Sequence, residues 1–496
     1  MDHFDVIIVG AGLSGIGAAR RLQDHCPGKR FALLEARDAI GGTWDLFRYP
    51  GIRSDSDMYT MGYDSKPWLE PKAIADGPSI LSYVQDAARE RGIDKLIRFG
   101  HRMKNAAWSS ADGRWTLECE HGGAQVSLSC NVLLMCSGYY TYAHGHTPSF
   151  AGREEFAGPL VHPQHWPQDL DYRGKRVVII GSGATAMTLV PAMAREAAKV
   201  TMLQRSPTYV VSLPAKDPIA TFLRAVLPEQ LAYRITRAKN VWFQRYIYQQ
   251  TRKQPHKMRE RLINMVRKQL GPDFDVAKHF SPSYMPWDQR LCLVPDADLF
   301  KVLRAGRADV VTDDIECFTR DGIRLKSGQT LAADIIVTAT GLDMELLGGA
   351  NFTVDGAAVS FPDTWSYKGM MFSDVPNLIY TLGYINASWT LRSELVAEYV
   401  CRLVNRMTEL GCVSATPRLR PSDCNMPPHP MIEDFSPGYM RRALHLFPKQ
   451  GDRDPWRNTQ NYTLDKKTIR EAPLEDGVME FAKAGSARDE QQRNAA

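Results

Sequence analysis

The first forty residues alternate apolar runs with glycine turns. DVIIVG (5–10) is a short β-branched run, which predicts a strand. GAGLSG (10–15) follows. LSGIGAARRLQDHC then has helical character, and RFALLE reads as a second strand ending on Glu35. The same order returns at 174–206, GKRVVIIGSGATAMTLVPAMAREAAKVTMLQRS. RFGHRMKNAAW (98–108) reads as a further strand of the first unit. NVLLMCSGYY and ADIIVTATGLD read as two strands running into Gly138 and Gly341. DVPNLIYTLGYINASWTLRSELVAEYVCRLV reads as strand, glycine turn and helix. This alternation predicts an α/β fold. Two stretches break the rhythm. FAGPLVHPQHWP (156–167) holds three prolines and two histidines with too little periodicity for helix or strand, so it predicts a loop. Residues 216–280 are helix-like, with aromatic residues among many Lys and Arg.

Composition narrows the picture. A chain of 496 residues allows two or three domains, and 44% hydrophobic with 24% charged residues is ordinary for a soluble globular protein. The net charge of +5 makes no case for a nucleic-acid partner. The nine cysteines are scattered without CxxC pairs, which argues for a reducing compartment and against a zinc site or a redox disulfide. MDHFDVIIVG runs straight into a strand pattern with no basic n-region, and no apolar run reaches the length of a membrane span; the expectation is cytoplasmic. Locally, 216–280 carries 14 basic and 5 acidic residues. Runs such as YRITRAKNVWFQRYIYQQTRK read either as a helical insertion packed by its apolar face or as a peripheral membrane contact.

Both glycine turns point to dinucleotides. Gly10, Gly12 and Gly15 stand at GxGxxG spacing between strand and helix, with an acid 20 residues beyond the last glycine. Gly10 permits the tight turn, Gly12 lets backbone approach a pyrophosphate, and Gly15 lets helix pack on strand. The helix N-terminus then faces the phosphates, and Glu35 can bond a free ribose hydroxyl. The plainer alternative is a tight turn in an ordinary α/β protein. In the second copy Gly181, Gly183 and Ala186 hold the same positions, but the strand ends in Gln204, Arg205 and Ser206. An arginine beside a hydroxyl suits a 2′-phosphate, which a carboxylate would repel. Alternatively, Arg205 is a solvated strand-end charge. The first site therefore expects FAD or NAD, the second NADPH, and together they suggest an electron path from NADPH to flavin. Cys130 and Cys136 flank NVLLM, a buried strand, and read as core residues.

The segment GGTWDLFRYPGIRSDSDMYT places Gly41, Gly42, Trp44, Arg48, Tyr49, Pro50, Gly51 and Asp55 in a pattern that resembles GGxWxxxRYPGxxxD of class B flavoprotein monooxygenases. Phe156, Gly158, His162, Trp166 and Pro167 fit FxGxxxHxxxWP, which resembles the fingerprint of type I Baeyer–Villiger monooxygenases; the sister flavin-containing monooxygenases carry Phe or Tyr where Trp166 stands. The resemblance covers nearly the whole chain. RYPGIRSDSDMYT, HPQHWPQDLDY, PWDQRLCLVP and PKQG look most like the ethionamide-activating subgroup.

The resemblance implies a chemistry. NADPH reduces FAD, the reduced flavin takes up O2 as a C4a-peroxyflavin, and attack on a ketone gives a Criegee intermediate that collapses to an ester or lactone. It implies Arg290 as the active-site cation and Asp55 as the carboxylate that orients it. A fixed cation suits an oxyanionic adduct, and Arg keeps its proton when partly buried. Without the resemblance, Arg290 reads as a surface ion pair and Asp55 as a turn residue. By resemblance, Ser14, Gly42, Thr43, Trp44, Asp45, Leu46, Asp55 and Met103 meet FAD. Arg53, Ser54, Asp55, Ser182, Gly183, Ala184, Thr185, Thr188, Arg205 and Ser206 meet NADP. Many relatives have Lys immediately before the arginine; here Gln289 stands there, which leaves more of the NADPH preference to Arg205.

The expected architecture is two Rossmann-like dinucleotide-binding domains. FAD-binding parts span 1–145 and 336–482, NADP-binding parts 146–215 and 281–335, a basic helical insertion 216–280, and a disordered tail 483–496. His162 and His165, spaced HxxH, lack a third metal ligand nearby, so no metal is expected and His162 reads as an anchor of the interdomain segment. The expected partners are O2 and a lipophilic ketone or sulfur compound, with Trp389 in the substrate pocket. The alternatives are an S- or N-oxygenase without ketone activity, and a non-enzymatic FAD/NADPH redox sensor.

Overall fold

The computed structural model describes residues 1–433, 435 and 437–484; the expected polar tail lies outside them from residue 485 onward. Strand Asp2–Val9 sits centrally in the larger sheet, parallel to Phe31–Leu34 on one side and Ala124–Met135 on the other. Val6, Ile7 and Ile8 are fully buried, as a continuous apolar run predicts. Val6 and Ile8 join a core beneath the helices Leu13–His25, Gly77–Arg89 and Trp389–Leu410. Ile7 faces the opposite cluster with Trp115, Leu133 and Phe372. Each such side chain contributes about 1.5–3 kcal/mol on burial. Strand Arg102–Ser109 extends the sheet through Arg114–His121, and the late strand Leu378–Tyr380 pairs with Ala124–Met135. The C-terminal third thus returns to the sheet that the N-terminus began.

The second sheet is wholly parallel, in the order Ala308–Thr312, Lys199–Gln204, Arg176–Ile180, Ile335–Thr338, Leu160–Val161. Its last member corrects the loop expected at 156–167. Leu160 and Val161 form an edge strand against Ile336 and Val337. A short 3-10 turn, Pro163–His165, follows, with the His162 ring accepting from the Gln164 N–H. Two paired residues between prolines 159 and 163 are too few to show any period.

The helical insertion is built from Pro218–Val226, Glu229–Lys253 and Pro255–Leu270. Proline opens the first and third, where its missing N–H costs nothing, and Asp217 caps the first by accepting from Ile219 and Ala220. The insertion is strapped to the first sheet's unit by Arg237. That buried side chain donates to the carbonyls of Tyr59, Thr60 and Gly62 and to Glu394 at 2.6 Å. The two units are further joined where Tyr140–Gly145 runs antiparallel to Leu342–Met344.

Candidate active site

A cavity of about 1420 Å³ runs between the two sheets, and both glycine turns stand in its wall. Gly10 has φ +108°, and a Cβ there would collide with the Cys136 carbonyl; a Cβ on Gly15 would collide with the Gly10 carbonyl. These two glycines are therefore packing positions, as their spacing predicts. Gly12 meets only Gly42 at 3.5 Å, and Gly183 meets nothing within 4 Å, so backbone is exposed to the cavity at both. Both helices begin there, at Leu13 and Ala184, without a side-chain cap. Uncapped N–H groups at two helix N-termini suit anions. The cavity thus offers two cradles of the kind a dinucleotide pyrophosphate needs.

The strand ends differ as the sequence says. Glu35 is buried; one oxygen accepts from the Ala11 N–H at 2.8 Å and the other from the Arg37 N–H at 2.9 Å. Burial raises its pKa, partly countered by those two backbone bonds. Arg205 is exposed and lines the cavity with Ser206.

Between the cradles stand Arg290 and Asp55. Their closest approach is Nε to Oδ2 at 2.9 Å, both line the cavity, and 37% and 35% of their side chains remain open. Asp55 is the main cause raising the arginine pKa above its ordinary value, so the guanidinium stays charged. Tyr139 and Tyr439 stand in the same wall, their pKa values raised chiefly by burial. The Tyr139 ring stacks on Trp389 at 5.2 Å, and the Trp389 indole donates to Ser14 Oγ at 2.8 Å.

Most of the sequence-derived site residues share this wall: Ser14, Gly42, Thr43, Trp44, Leu46, Met103, Arg53, Ser54, Ser182, Ala184, Thr185 and Thr188. Three do not. Gly15 and Ala186 are buried under their helices. Asp45 is turned away from the cavity: it is buried and paired with Arg37 at 2.5 Å and with Arg48. Arg53 reaches the wall but is engaged, bonding Asp298 and the Met187 carbonyl. Of the fingerprint residues, His162 alone lines the cavity. Its Nδ1 accepts from Gln164 N–H at 3.1 Å and its Nε2 lies 3.1 Å from the Gly341 carbonyl, while the ring rests on Gly145. It therefore touches both segments that cross between the sheets. Phe156 packs on Phe318, Trp166 is partly buried against the second core, and a Cβ on Gly158 would collide with the Asp334 carbonyl. Tyr139 and Tyr439 escaped sequence reading because isolated tyrosines carry no spacing signal.

Residues 4–268 match the family described as flavin-binding monooxygenase-like. The chain belongs to that family. It is 54% identical to the FAD-containing monooxygenase EthA of Mycobacterium tuberculosis over 483 residues, 97% of this chain and 98% of that one. It is 48% identical to the probable FAD-binding monooxygenase AlmA of Acinetobacter baylyi over 483 residues, 97% of this chain and 96% of that protein. In fold it resembles an oxidised steroid monooxygenase bound to NADP, with a TM-score of 0.78 at 21% identity over 97% of this chain and 100% of the other. It also resembles an open cyclohexanone monooxygenase, with a TM-score of 0.71 at 19% identity over 85% and 91%.

Proposed function

We propose that the protein is an NADPH- and O2-dependent flavin monooxygenase that converts ketones to esters or lactones and also oxygenates sulfides or thioamides. The balance is ketone, O2, NADPH and a proton giving ester, NADP+ and water. The reading rests on one observation above all: a charged arginine, held by a carboxylate, faces the cavity between two dinucleotide cradles. The cradle at Gly10–Gly15 fits FAD and the one at Gly181–Ala186 fits NADPH; when bound, these groups supply the electrons and the activated oxygen.

The chain's own residues do the rest. The helix N-termini at Leu13 and Ala184 take the pyrophosphates. Glu35 accepts from a ribose hydroxyl, and Arg205 pairs with the 2′-phosphate. Arg290 offers a fixed cation where negative charge gathers on oxygen, and Asp55 holds its orientation. Tyr139, Tyr439 and Trp389 keep that end of the cavity poor in water. The test is to purify the yellow protein and follow NADPH oxidation with 2-octanone, then with methyl phenyl sulfide. Ester formation supports the reading. Sulfoxide with no ester points to the S-oxygenase alternative, and no stimulation by either points to a redox sensor.

We also propose that 216–280 docks on an anionic membrane surface. Among the described residues no helix is long and apolar enough to cross a membrane. Yet Ile219, Phe222, Val226, Leu231, Trp242 and Phe243 are all exposed, the last two at 63% and 50%. Arg234, Arg245 and Lys253 are exposed on the same long helix as Trp242 and Phe243. Apolar side chains set among cations fit an acidic lipid interface. Flotation with phosphatidylglycerol vesicles at low salt is expected and should be lost in Trp242→Ser/Phe243→Ser. Self-association of the protein without vesicle binding would assign the face to a second copy instead.

A further inference from the structure

The inner face of the helix Glu229–Lys253 carries a stripe at four-residue spacing: Asn240, Gln244, Tyr248 and Arg252. Residues four apart lie on one face of a helix, so the four form a single row about 18 Å long from end to end. At one end, Asn240 Nδ2 and Gln244 Nε2 donate to the two oxygens of Asp57, at 2.8 and 2.7 Å. At the other end, the Tyr248 ring meets Trp287 edge-on at 5.5 Å, and Arg252 Nη1 bonds Asp288 Oδ1 at 3.0 Å. Asp57 lies two residues beyond Asp55. Asp288 lies two residues before Arg290. One rigid element thus grips both loops that supply the Asp55–Arg290 pair, each within two residues of the reacting member.

Both gripped points are held tightly on their own side as well. Asp57 accepts from Thr60 N–H at 3.1 Å and caps the turn Met58–Met61, so its carboxylate is fully committed. Asp288 also accepts from Met285 N–H at 3.0 Å, and Arg259 on the next helix donates to the Pro282 carbonyl at 3.1 Å. Trp287 has φ +73°, a backbone state a non-glycine residue keeps only when its surroundings enforce it. The turn around it is closed by the Asp288 N–H donating to the Met285 carbonyl at 3.1 Å, and the Trp287 ring packs on Tyr248.

We propose that this stripe is a splint. Asn240, Gln244, Tyr248 and Arg252 are positioning residues that set the distance between Asp55 and Arg290, and the insertion is part of the catalytic apparatus rather than an appendage to it. The inference rests on the reading of Asp55 and Arg290 given above. It predicts an effect carried through that pair alone.

The test is a double-mutant cycle on the FAD-loaded full chain, with 2-octanone as probe. Asn240→Leu/Gln244→Leu, and separately Arg252→Met in case the first variant does not fold, are each made in the parent and in Arg290→Lys. In the parent, kcat for ester formation falls about tenfold, as a sub-ångström misplacement of the pair would give, while KM for NADPH stays within about twofold. In Arg290→Lys the same substitutions leave ester formation and NADPH oxidation nearly unchanged. An equal loss in both backgrounds, or a rise in KM with kcat intact, overturns the splint. If Arg290→Lys itself makes ester as fast as the parent, the reading of the pair fails and the splint falls with it.

Discussion

The two glycine turns share a spacing and a strand–turn–helix frame, and they part at the end of the second strand. Glu35 is buried and already bonded to the backbone of its own turn through Ala11 and to Arg37. Arg205 is exposed, and Gly183 beside it faces open space. The first cradle is braced by bonds from its strand-end acid to its own backbone, whereas the second presents an unbraced strand-end cation. A preformed site spends little of its binding energy on ordering and holds its ligand long, whereas a site completed on binding releases more readily. On the proposed function, this separates a resident flavin from an exchanging nicotinamide.

The comparison breaks most severely at Gly15. Gly15→Val drives a side chain into the Gly10 carbonyl, so the purified protein is expected to be colourless, while an open position such as Gly183→Ala keeps its flavin absorbance. A yellow Gly15→Val protein would remove the first cradle from the argument. The next effect belongs to the second site. Arg205→Ala should raise KM for NADPH about tenfold to a hundredfold, the worth of a charge-assisted bond, with flavin content and KM for NADH unchanged. A parallel loss with NADH would mean that Arg205 reads something other than the 2′-phosphate. Glu35→Gln is smaller: the amide keeps a single acceptor oxygen and sets an NH2 donor against one of the two backbone N–H groups, and flavin retention on dilution should weaken about tenfold. Unchanged retention would show that the preformed acid matters little.

The smallest effect is one of pH. Burial lowers the His162 pKa below its ordinary 6.5, and its Nδ1 must stay unprotonated to accept from Gln164. A lowered folded pKa gives stability that is present above the unfolded value and is lost as pH falls through the folded one. The melting temperature should therefore drop about one or two degrees more between pH 7 and pH 5 in the parent than in His162→Gln, read by thermal unfolding. Identical slopes would detach the histidine from the crossing it touches.

Much of this was legible in the sequence because it depends on local spacing. The paired fingerprints, Glu35 against Arg205, and the strand–helix order are all set within about thirty residues. Asp55 and Arg290 are 235 positions apart, and only the resemblance joined them before the fold did. Asp45, expected to meet FAD, has its carboxylate drawn off by Arg37 and Arg48, and competition among neighbouring charges leaves no mark on spacing. Leu160–Val161 went unseen because an edge strand of two residues is defined by its partner, Ile336–Val337. The stripe on the long helix stands at i, i+4 spacing, yet that spacing carries no sign that its partners at 57 and 287–288 lie opposite it.

The chain passes between the two sheets at Tyr140–Gly145 and again at Leu342–Met344, and those passages are hydrogen-bonded side by side. A lone tether lets one body swivel about another in any direction. Two tethers laid flat against each other behave like a strap hinge. They bend readily across the strap and resist twisting, because a twist must shear the ladder between them. Here the strap is pinned at a second place, because Arg237 ties the insertion to Tyr59–Gly62 and Glu394 while Asn240 and Gln244 hold Asp57, so the two cradles keep their alignment across one cavity.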